Sequence, residues 1–135
     1  MRRAVIVFVG GGLGSCLRAV VLAWLWAWST WLPVLLVNPV GSFVLGLVVA
    51  LADEAGLLRA ETRLFVAVGV LGGFTTFSTF GWGADLLAGR GAVGIALAYV
   101  VASVLGAVAA AGAWPWQASW APCWPACWPP PRGRA

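Results

Sequence analysis

Phenyl and hydroxyl side chains follow one another in a short string near the middle of the chain, Thr-Thr-Phe-Ser-Thr-Phe. Phe77 and Phe80 are three residues apart, so a helix would place both rings on one face. The edge of a phenyl ring carries partial positive charge, and the hydroxyls of Thr76, Ser78 and Thr79 can donate hydrogen bonds. Such groups can contact an anion without a full positive charge, although phenylalanines at this spacing also serve ordinary packing.

Four other polar side chains interrupt apolar runs. Asn38 offers two N–H donors within the run Leu-Val-Asn-Pro-Val, where an unbonded amide is costly. Tyr99 and Ser103 are four residues apart, which on a helix gives one polar stripe. Arg18 either reaches the membrane interface or raises the potential at the entrance of an ion path. For Asn38, Tyr99 and Ser103 the alternative is hydrogen bonding between helices.

The composition indicates a membrane protein. Apolar residues make up 62% of the 135 residues and charged residues 9%, whereas soluble domains carry about 25% charged residues. Histidine is absent and the three cysteines provide no metal site, so no catalytic residue and no enzyme activity are predicted. The arginines are scattered rather than clustered, which argues against nucleic-acid binding.

Four stretches are long and apolar enough to span a bilayer, which takes about 20 residues. They cover about residues 4–28, 32–52, 63–88 and 91–113 and predict an all-helical protein. Gly72-Gly73 and hydroxyl residues interrupt the third stretch, so we predict a broken helix near Gly72–Thr76. Backbone groups exposed by such a break bind ions in transporters. The alternative is a tight helix crossing at the glycines, and Gly10 and Gly14 of the first stretch are also spaced for close helix contact.

The segment 114–135 differs in composition from the four-helix domain predicted for residues 1–113. It contains five tryptophans and six prolines, and proline at this density prevents a helix, so we predict a disordered tail. Arg2, Arg3, Arg59 and Arg63 flank one side of the spans, and Arg90 flanks the other. Because arginine-rich flanks stay in the cytoplasm, both termini are expected there, in a multi-pass protein of the cell membrane.

Three strings together resemble the CrcB/Fluc family of fluoride channels, small four-span proteins that act as antiparallel dimers. They are GGLGSCLR at residues 11–18, NPVGSFVLG at 38–46 and GGFTTFSTF at 72–80. The last string is long and specific, and the resemblance covers about residues 4–113. The chain departs from the family pattern at Ala19, Pro39 and Ala107. At Ala107 the family's polar track often continues with a hydroxyl.

The resemblance implies a fluoride-specific channel that exports fluoride passively and lowers its toxicity inside the cell. It implies a path built from an amide, phenyl ring edges and hydroxyls, and a central sodium ion that is structural and is not transported. The expected path residues are Asn38, Thr76, Phe77, Ser78, Thr79, Phe80, Tyr99 and Ser103, with Arg18 in the vestibule. The expected sodium ligands are the backbone carbonyls of Gly72 and Thr75.

The arginine ratio of four to one is unbalanced for a chain that must insert in both orientations. We therefore expect a fixed orientation in a heterodimer with an oppositely oriented paralogue, and the alternative is the antiparallel homodimer, which needs both orientations. Two rival functions are a small multidrug-resistance-type exporter and a non-transporting membrane scaffold. The exporter needs a glutamate in the first span, where this chain has only Arg18. The scaffold would use its small residues for packing alone.

Overall fold

The computed structural model describes residues 1–27, 29, 31–53 and 57–114. Its helical segments are α1 (Arg2–Leu25), α2 (Leu32–Asp53), α3 (60–74), α4 (Phe77–Gly89) and α5 (Val93–Ala111). Segments α3 and α4 share one span, Ala60–Gly89, so four helices can cross a membrane. This part of the chain contains no strand, and the predicted all-helical four-span architecture is confirmed. Apart from Trp114, the predicted disordered tail lies outside the described residues.

The spans alternate in direction through the membrane. Arg2 Nη2 and Glu61 Oε2 are 2.9 Å apart, which places the first residues of α1 and α3 at the same end of the molecule. At the opposite end α4 and α5 are joined by a turn in which Gly91 has a φ of 78°, a conformation that favours glycine. The end that carries Arg2, Glu61 and the last residue of α5 is called the termini end below.

Glycines allow α1 and α3 to approach backbone to backbone. A Cβ atom at Gly10 would lie 2.7 Å from the carbonyl oxygen of Phe65 and 2.9 Å from the Cα of Gly69. A Cβ atom at Gly14 would overlap the carbonyl of Val70. The close helix contact predicted for Gly10 and Gly14 is therefore confirmed, with α3 as the partner.

Segment α3 is irregular even before the span is interrupted. Ala60–Arg63 and Gly72–Phe74 are α-helical, and Leu64–Leu71 between them is π-helical. Such wide turns are rare and are frequent at functional sites. The π-helical turns lie against α1 and lead directly into the break described below.

Helices α2 and α5 run parallel, and two contacts define their register. The Pro39 ring packs on Gly106, where a Cβ atom would lie 3.4 Å from Pro39 Cγ. A Cβ atom at Gly46 would lie 2.7 Å from the carbonyl oxygen of Ala111. Helix α2 continues through Pro39 from Leu32 to Asp53. Residues 39–46 of α2 therefore lie beside residues 106–111 of α5.

Along the direction of the spans, the two halves of the helix bundle differ in how they are packed. A buried apolar cluster lies in the half farther from the termini end, where α4 and the last turns of α1 meet the first turns of α2 and α5. Its members are Leu22, Val34, Val37, Phe80, Leu87, Ala96 and Tyr99. The half nearer the termini end contains a cavity of about 380 Å³, and a smaller one of about 230 Å³ lies between the end of α1 and the start of α2 in the other half. The break in the third span lies between these two regions.

Candidate functional site

Two extended residues interrupt the third span at mid-length. Thr75 has φ −74° and ψ 155°, and Thr76 has φ −146° and ψ 121°, so both lie outside the helical region. Segment α3 ends at Phe74, and α4 starts at Phe77. The broken helix predicted from the sequence is confirmed, and its position is within the predicted range.

Asn38 on α2 binds both the backbone N–H and the backbone carbonyl of Thr76 in the break. The Thr76 N–H donates to Asn38 Oδ1 at 2.9 Å, and Asn38 Nδ2 donates to the Thr76 carbonyl at 3.1 Å. In a continuous α-helix the Thr76 N–H would donate to the carbonyl of Gly72. Because this N–H donates to Asn38 instead, the carbonyl of Gly72 loses the donor that it would have in a continuous helix.

Arg18 on α1 satisfies the next exposed carbonyl of the break. Its Nη1 donates to the Thr75 carbonyl at 3.0 Å, whose donor in a continuous helix would be the N–H of Thr79. That N–H instead donates to Thr76 Oγ1 at 3.3 Å and so caps α4. The Thr75 hydroxyl donates to the carbonyl of Leu71 at 3.0 Å. Arg18 thus contacts the break itself, in addition to any role at an entrance.

The hydroxyls at the start of α4 are joined to one another. Thr76 Oγ1 donates to Thr79 Oγ1 at 3.1 Å and lies 3.3 Å from Ser78 Oγ. The first turn of α4 therefore starts with a capped and hydroxyl-rich end. Because the N-terminal end of a helix carries partial positive charge, this arrangement favours a negative ion near the break.

The aromatic side chains form a continuous row beside the break. The ring centroids of Phe77 and Phe80 are 5.4 Å apart, and those of Phe80 and Tyr99 are 5.5 Å apart. Trp31 meets Tyr99 edge to face at 6.3 Å. In the single chain Phe80 is 8% exposed, whereas Phe77 is 82% exposed. The two phenylalanines lie side by side, but only Phe80 is enclosed by this chain.

A cavity of about 380 Å³ adjoins the break on the side of the termini end. It brings together seven residues that the sequence singled out, and it has no carboxylate in its lining. The lining residues are Asn38, Gly41, Ser42, Leu45, Ala67, Leu71, Gly72, Thr75, Thr76, Phe77, Phe80, Ser103, Val104, Ala107 and Val108. Four predicted site residues do not line it, namely Arg18, Ser78, Thr79 and Tyr99.

Two hydroxyls of α5 are buried without a protein partner. Tyr99 is 3% exposed and Ser103 is 4% exposed. Across the described part of the chain, neither the Tyr99 OH nor the Ser103 Oγ finds a hydrogen-bond partner. Buried polar groups are normally hydrogen-bonded, so these hydroxyls require a partner that the described residues do not provide. Ser103 lines the cavity, and Tyr99 contacts Phe80, which also lines it.

Sequence reasoning missed Gly41 and Ser42 as lining residues. A Cβ atom at Gly41 would lie 2.5 Å from the Thr75 methyl group, so glycine at this position lets the break approach α2. Ser42 is four residues after Asn38 and therefore lies on the same face of α2. The spacing of four residues from Asn38 could therefore have identified Ser42 as a lining residue from the sequence. The described residues contain no cluster of three or more His, Cys, Asp or Glu side chains that could hold a metal.

The fold and the site together define a class, the four-span helical membrane proteins with a broken third span and a polar cavity at the break. Residues 5–113 match the family described as CrcB-like protein, Camphor Resistance (CrcB). The match covers most of the chain, and the chain belongs to this family.

Curated relatives of this chain carry a functional name. A protein of Thermus thermophilus, named fluoride-specific ion channel FluC, is 48% identical over 111 residues, which cover 77% of this chain and 85% of the relative. A protein with the same name from a second strain of that species is 45% identical over 111 residues, covering 77% and 84%. One from Methylobacillus flagellatus, also with that name, is 38% identical over 109 residues, covering 78% and 85%.

Proposed function

We propose that this chain forms a fluoride-specific channel that lets fluoride leave the cytoplasm passively across the cell membrane and so limits its toxicity inside the cell. The names of the relatives support this function. The observation that carries it is the lining of the cavity, which combines an amide, hydroxyls and phenyl rings and contains no carboxylate. Such a lining can accept a small anion, and no fixed negative charge in it repels the ion.

The donors of the site compensate for the water that fluoride loses on entry. Asn38 Nδ2 has two hydrogens, and the Thr76 carbonyl accepts only one of them. The buried Ser103 hydroxyl has no hydrogen-bond partner among the described residues and can donate to the ion. The ring edges of Phe77 and Phe80 add partial positive charge. In this mechanism each group replaces part of the hydration shell, and no residue forms a covalent bond with the ion.

We propose in addition that a structural sodium ion binds at the carbonyls of Gly72 and Thr75. The redirected Thr76 N–H supports this site, because it leaves the Gly72 carbonyl without its helical donor. Carbonyl oxygens are suitable ligands for a hard cation. The Thr75 carbonyl has a second lone pair beside the one that accepts from Arg18. Bound there, the ion would offset the partial negative charges of the carbonyls and hold the break in place.

The exposure of Phe77 supports a function that needs two chains. A phenyl ring that contacts an ion must be shielded from lipid, yet 82% of Phe77 is exposed in the single chain. A second copy or a paralogue in the opposite orientation would supply the missing wall. The four-to-one arginine bias favours a fixed orientation and therefore an oppositely oriented paralogue, while a homodimer remains the second form of this proposal.

Efflux of fluoride from liposomes that contain only the purified chain tests the function. A homodimer predicts fluoride efflux down its gradient from these liposomes, and both forms of the proposal predict no efflux from matched liposomes loaded with chloride. Efflux that appears only after addition of an oppositely oriented paralogue would assign the function to a heterodimer. The exporter alternative would instead require a proton gradient, and the scaffold alternative predicts no flux in either preparation. Absence of fluoride efflux in both preparations contradicts the proposal.

A further inference from the structure

The polar face of α5 ends before the cavity does. Tyr99, Ser103 and Ala107 follow one another at intervals of four residues and therefore lie on one face of the helix. Ser103 and Ala107 both line the cavity, as does Val108 one residue later. From Ala107 to the termini end, α5 therefore offers no polar side chain to an ion in the cavity.

A hydroxyl on the neighbouring helix lies at the same level. The contacts of Pro39 with Gly106 and of Gly46 with Ala111 bracket Ser42 on α2 and Ala107 on α5. Because the two helices are parallel, Ser42 is level with Ala107 in the membrane. Ser42 also lines the cavity and is half-buried. It lies one helical turn closer to the termini end than Asn38.

The hydroxyl of Ser42 is not engaged elsewhere in the structure. No hydrogen bond joins it to any other described residue, whereas the hydroxyls of Thr75 and Thr76 are both bonded within the break. The nearest alternatives at this level are the apolar side chains of Leu45 and Val108. Ser42 therefore has the only free polar side chain in this section of the described cavity lining.

We propose that Ser42 is a fluoride-contacting residue whose hydroxyl donates to the ion at the level of Ala107, and so extends the path from Asn38 toward the termini end. This inference rests on the proposed function. At this level of the path the hydroxyl thus comes from α2 and not from α5, because α5 has Ala107 where α2 has Ser42.

Fluoride efflux from liposomes separates this role from simple packing. We expect Ser42→Ala to lower the efflux rate about tenfold, the loss expected for one hydrogen bond to an ion. Adding Ala107→Ser to that variant should restore most of the rate, because the hydroxyl returns at the same level from the other helix. Ser29→Ala, which removes a hydroxyl from the connection before α2, serves as the matched control and should conduct normally.

The outcomes distinguish this inference from the function on which it rests. Normal efflux from Ser42→Ala, with a conducting wild type, overturns the role of Ser42 alone. A slow Ser42→Ala variant that Ala107→Ser does not rescue overturns it as well, since packing would then explain the loss. A wild type that does not conduct, alone or with a paralogue, overturns the proposed function and this inference together.

Thiol accessibility gives a readout that does not depend on conduction. In a chain whose native cysteines are replaced by alanine, Ser42→Cys should react with silver ions supplied in water, because position 42 faces the cavity. Val40→Cys, on the exposed apolar face of the same helix, should react far more slowly. Equal reactivity, or a reactive position 40 with an unreactive position 42, contradicts the placement of Ser42 on an aqueous path.

Discussion

The side chain of Asn38 pairs with the backbone of Thr76 through two hydrogen bonds, one accepted at 2.9 Å and one donated at 3.1 Å. This pairing resembles the way a neighbouring strand would bind an extended residue. It holds the break to α2 and leaves one amide hydrogen of Asn38, a residue that lines the cavity, without a partner among the described residues. A single residue therefore links the shape of the third span to the chemistry of the path.

The Asn38→Asp substitution tests this pairing. Aspartate has the same shape and can still accept from the Thr76 N–H, but it cannot donate to the Thr76 carbonyl, and it adds negative charge to the cavity. We expect loss of fluoride efflux and a free energy of unfolding lower by about 1–3 kcal/mol. Liposome efflux and thermal unfolding in detergent measure the two effects. Normal efflux from this variant would contradict the role of the amide.

Phe80→Ile tests the aromatic contacts. Isoleucine keeps an apolar side chain in the buried cluster but removes the ring edge, so we expect fluoride efflux to be abolished while the assembly remains intact in size-exclusion chromatography. Phe8→Ile is the control, because Phe8 is an exposed apolar residue of α1 that does not line the cavity. Unchanged efflux from Phe80→Ile would remove the phenyl ring from the path.

The contact between α1 and α3 offers a matched pair of glycines. A Cβ atom at Gly14 would overlap the Val70 carbonyl, whereas one at Gly12 would meet no atom within 4 Å. We expect Gly14→Ala to lower the free energy of unfolding by about 1–3 kcal/mol, and Gly12→Ala to leave it unchanged or slightly higher. Melting temperatures in detergent compare the variants, and equal values would show that the helices do not pack as described.

Sodium dependence tests the proposed ion at the break. Replacing sodium by a large organic cation should lower the melting temperature of the wild-type assembly, because a bound ion stabilises the folded state. Arg18→Gln keeps a donor for the Thr75 carbonyl but removes a positive charge that would repel the ion by about 3 kcal/mol. The sodium concentration needed for stabilisation should therefore fall at least tenfold.

Arg3→Gln is the control for that measurement, since Arg3 is exposed on the first turn of α1. A wild-type melting temperature that is indifferent to sodium would argue against the ion. An Arg18→Gln variant that needs more sodium than the wild type would show that the guanidinium assists binding.

The orientation of the chain in the membrane is directly measurable. With tags at both ends, the arginine bias predicts one population, in which both tags lie in the cytoplasm. Protease protection in intact spheroplasts reports the side of each tag. Two equal populations would contradict a fixed orientation and with it the heterodimer, and would leave the homodimer as the form of the channel.

The sequence predicted the spans and the break because both are local properties. An apolar run of sufficient length makes a span whatever its neighbours are, and Gly72-Gly73 followed by threonines disfavours a continuous helix in any context. The observed limits differ from the predicted ones by a few residues, as at the end of the first span, predicted near Trp28 and observed at Leu25.

The contacts of the break could not be predicted in the same way. The bond from Arg18 to the Thr75 carbonyl joins residues 57 positions apart, and it depends on how closely the glycines of α1 allow α3 to approach. The level of Ser42 beside Ala107 depends on the register of two helices, which sequence spacing within one helix does not define. Phe77 and Phe80 differ in burial because of the face of α4 that α2 and α5 cover, which is likewise a contact between helices.

The unequal packing of the two halves has a consequence for a pair of oppositely oriented chains. In such a pair the cavity beside the break in one chain would lie on the opposite side of the membrane midplane from the same cavity in its neighbour. An ion that crosses such a pair would therefore meet the two cavities at different depths of the membrane.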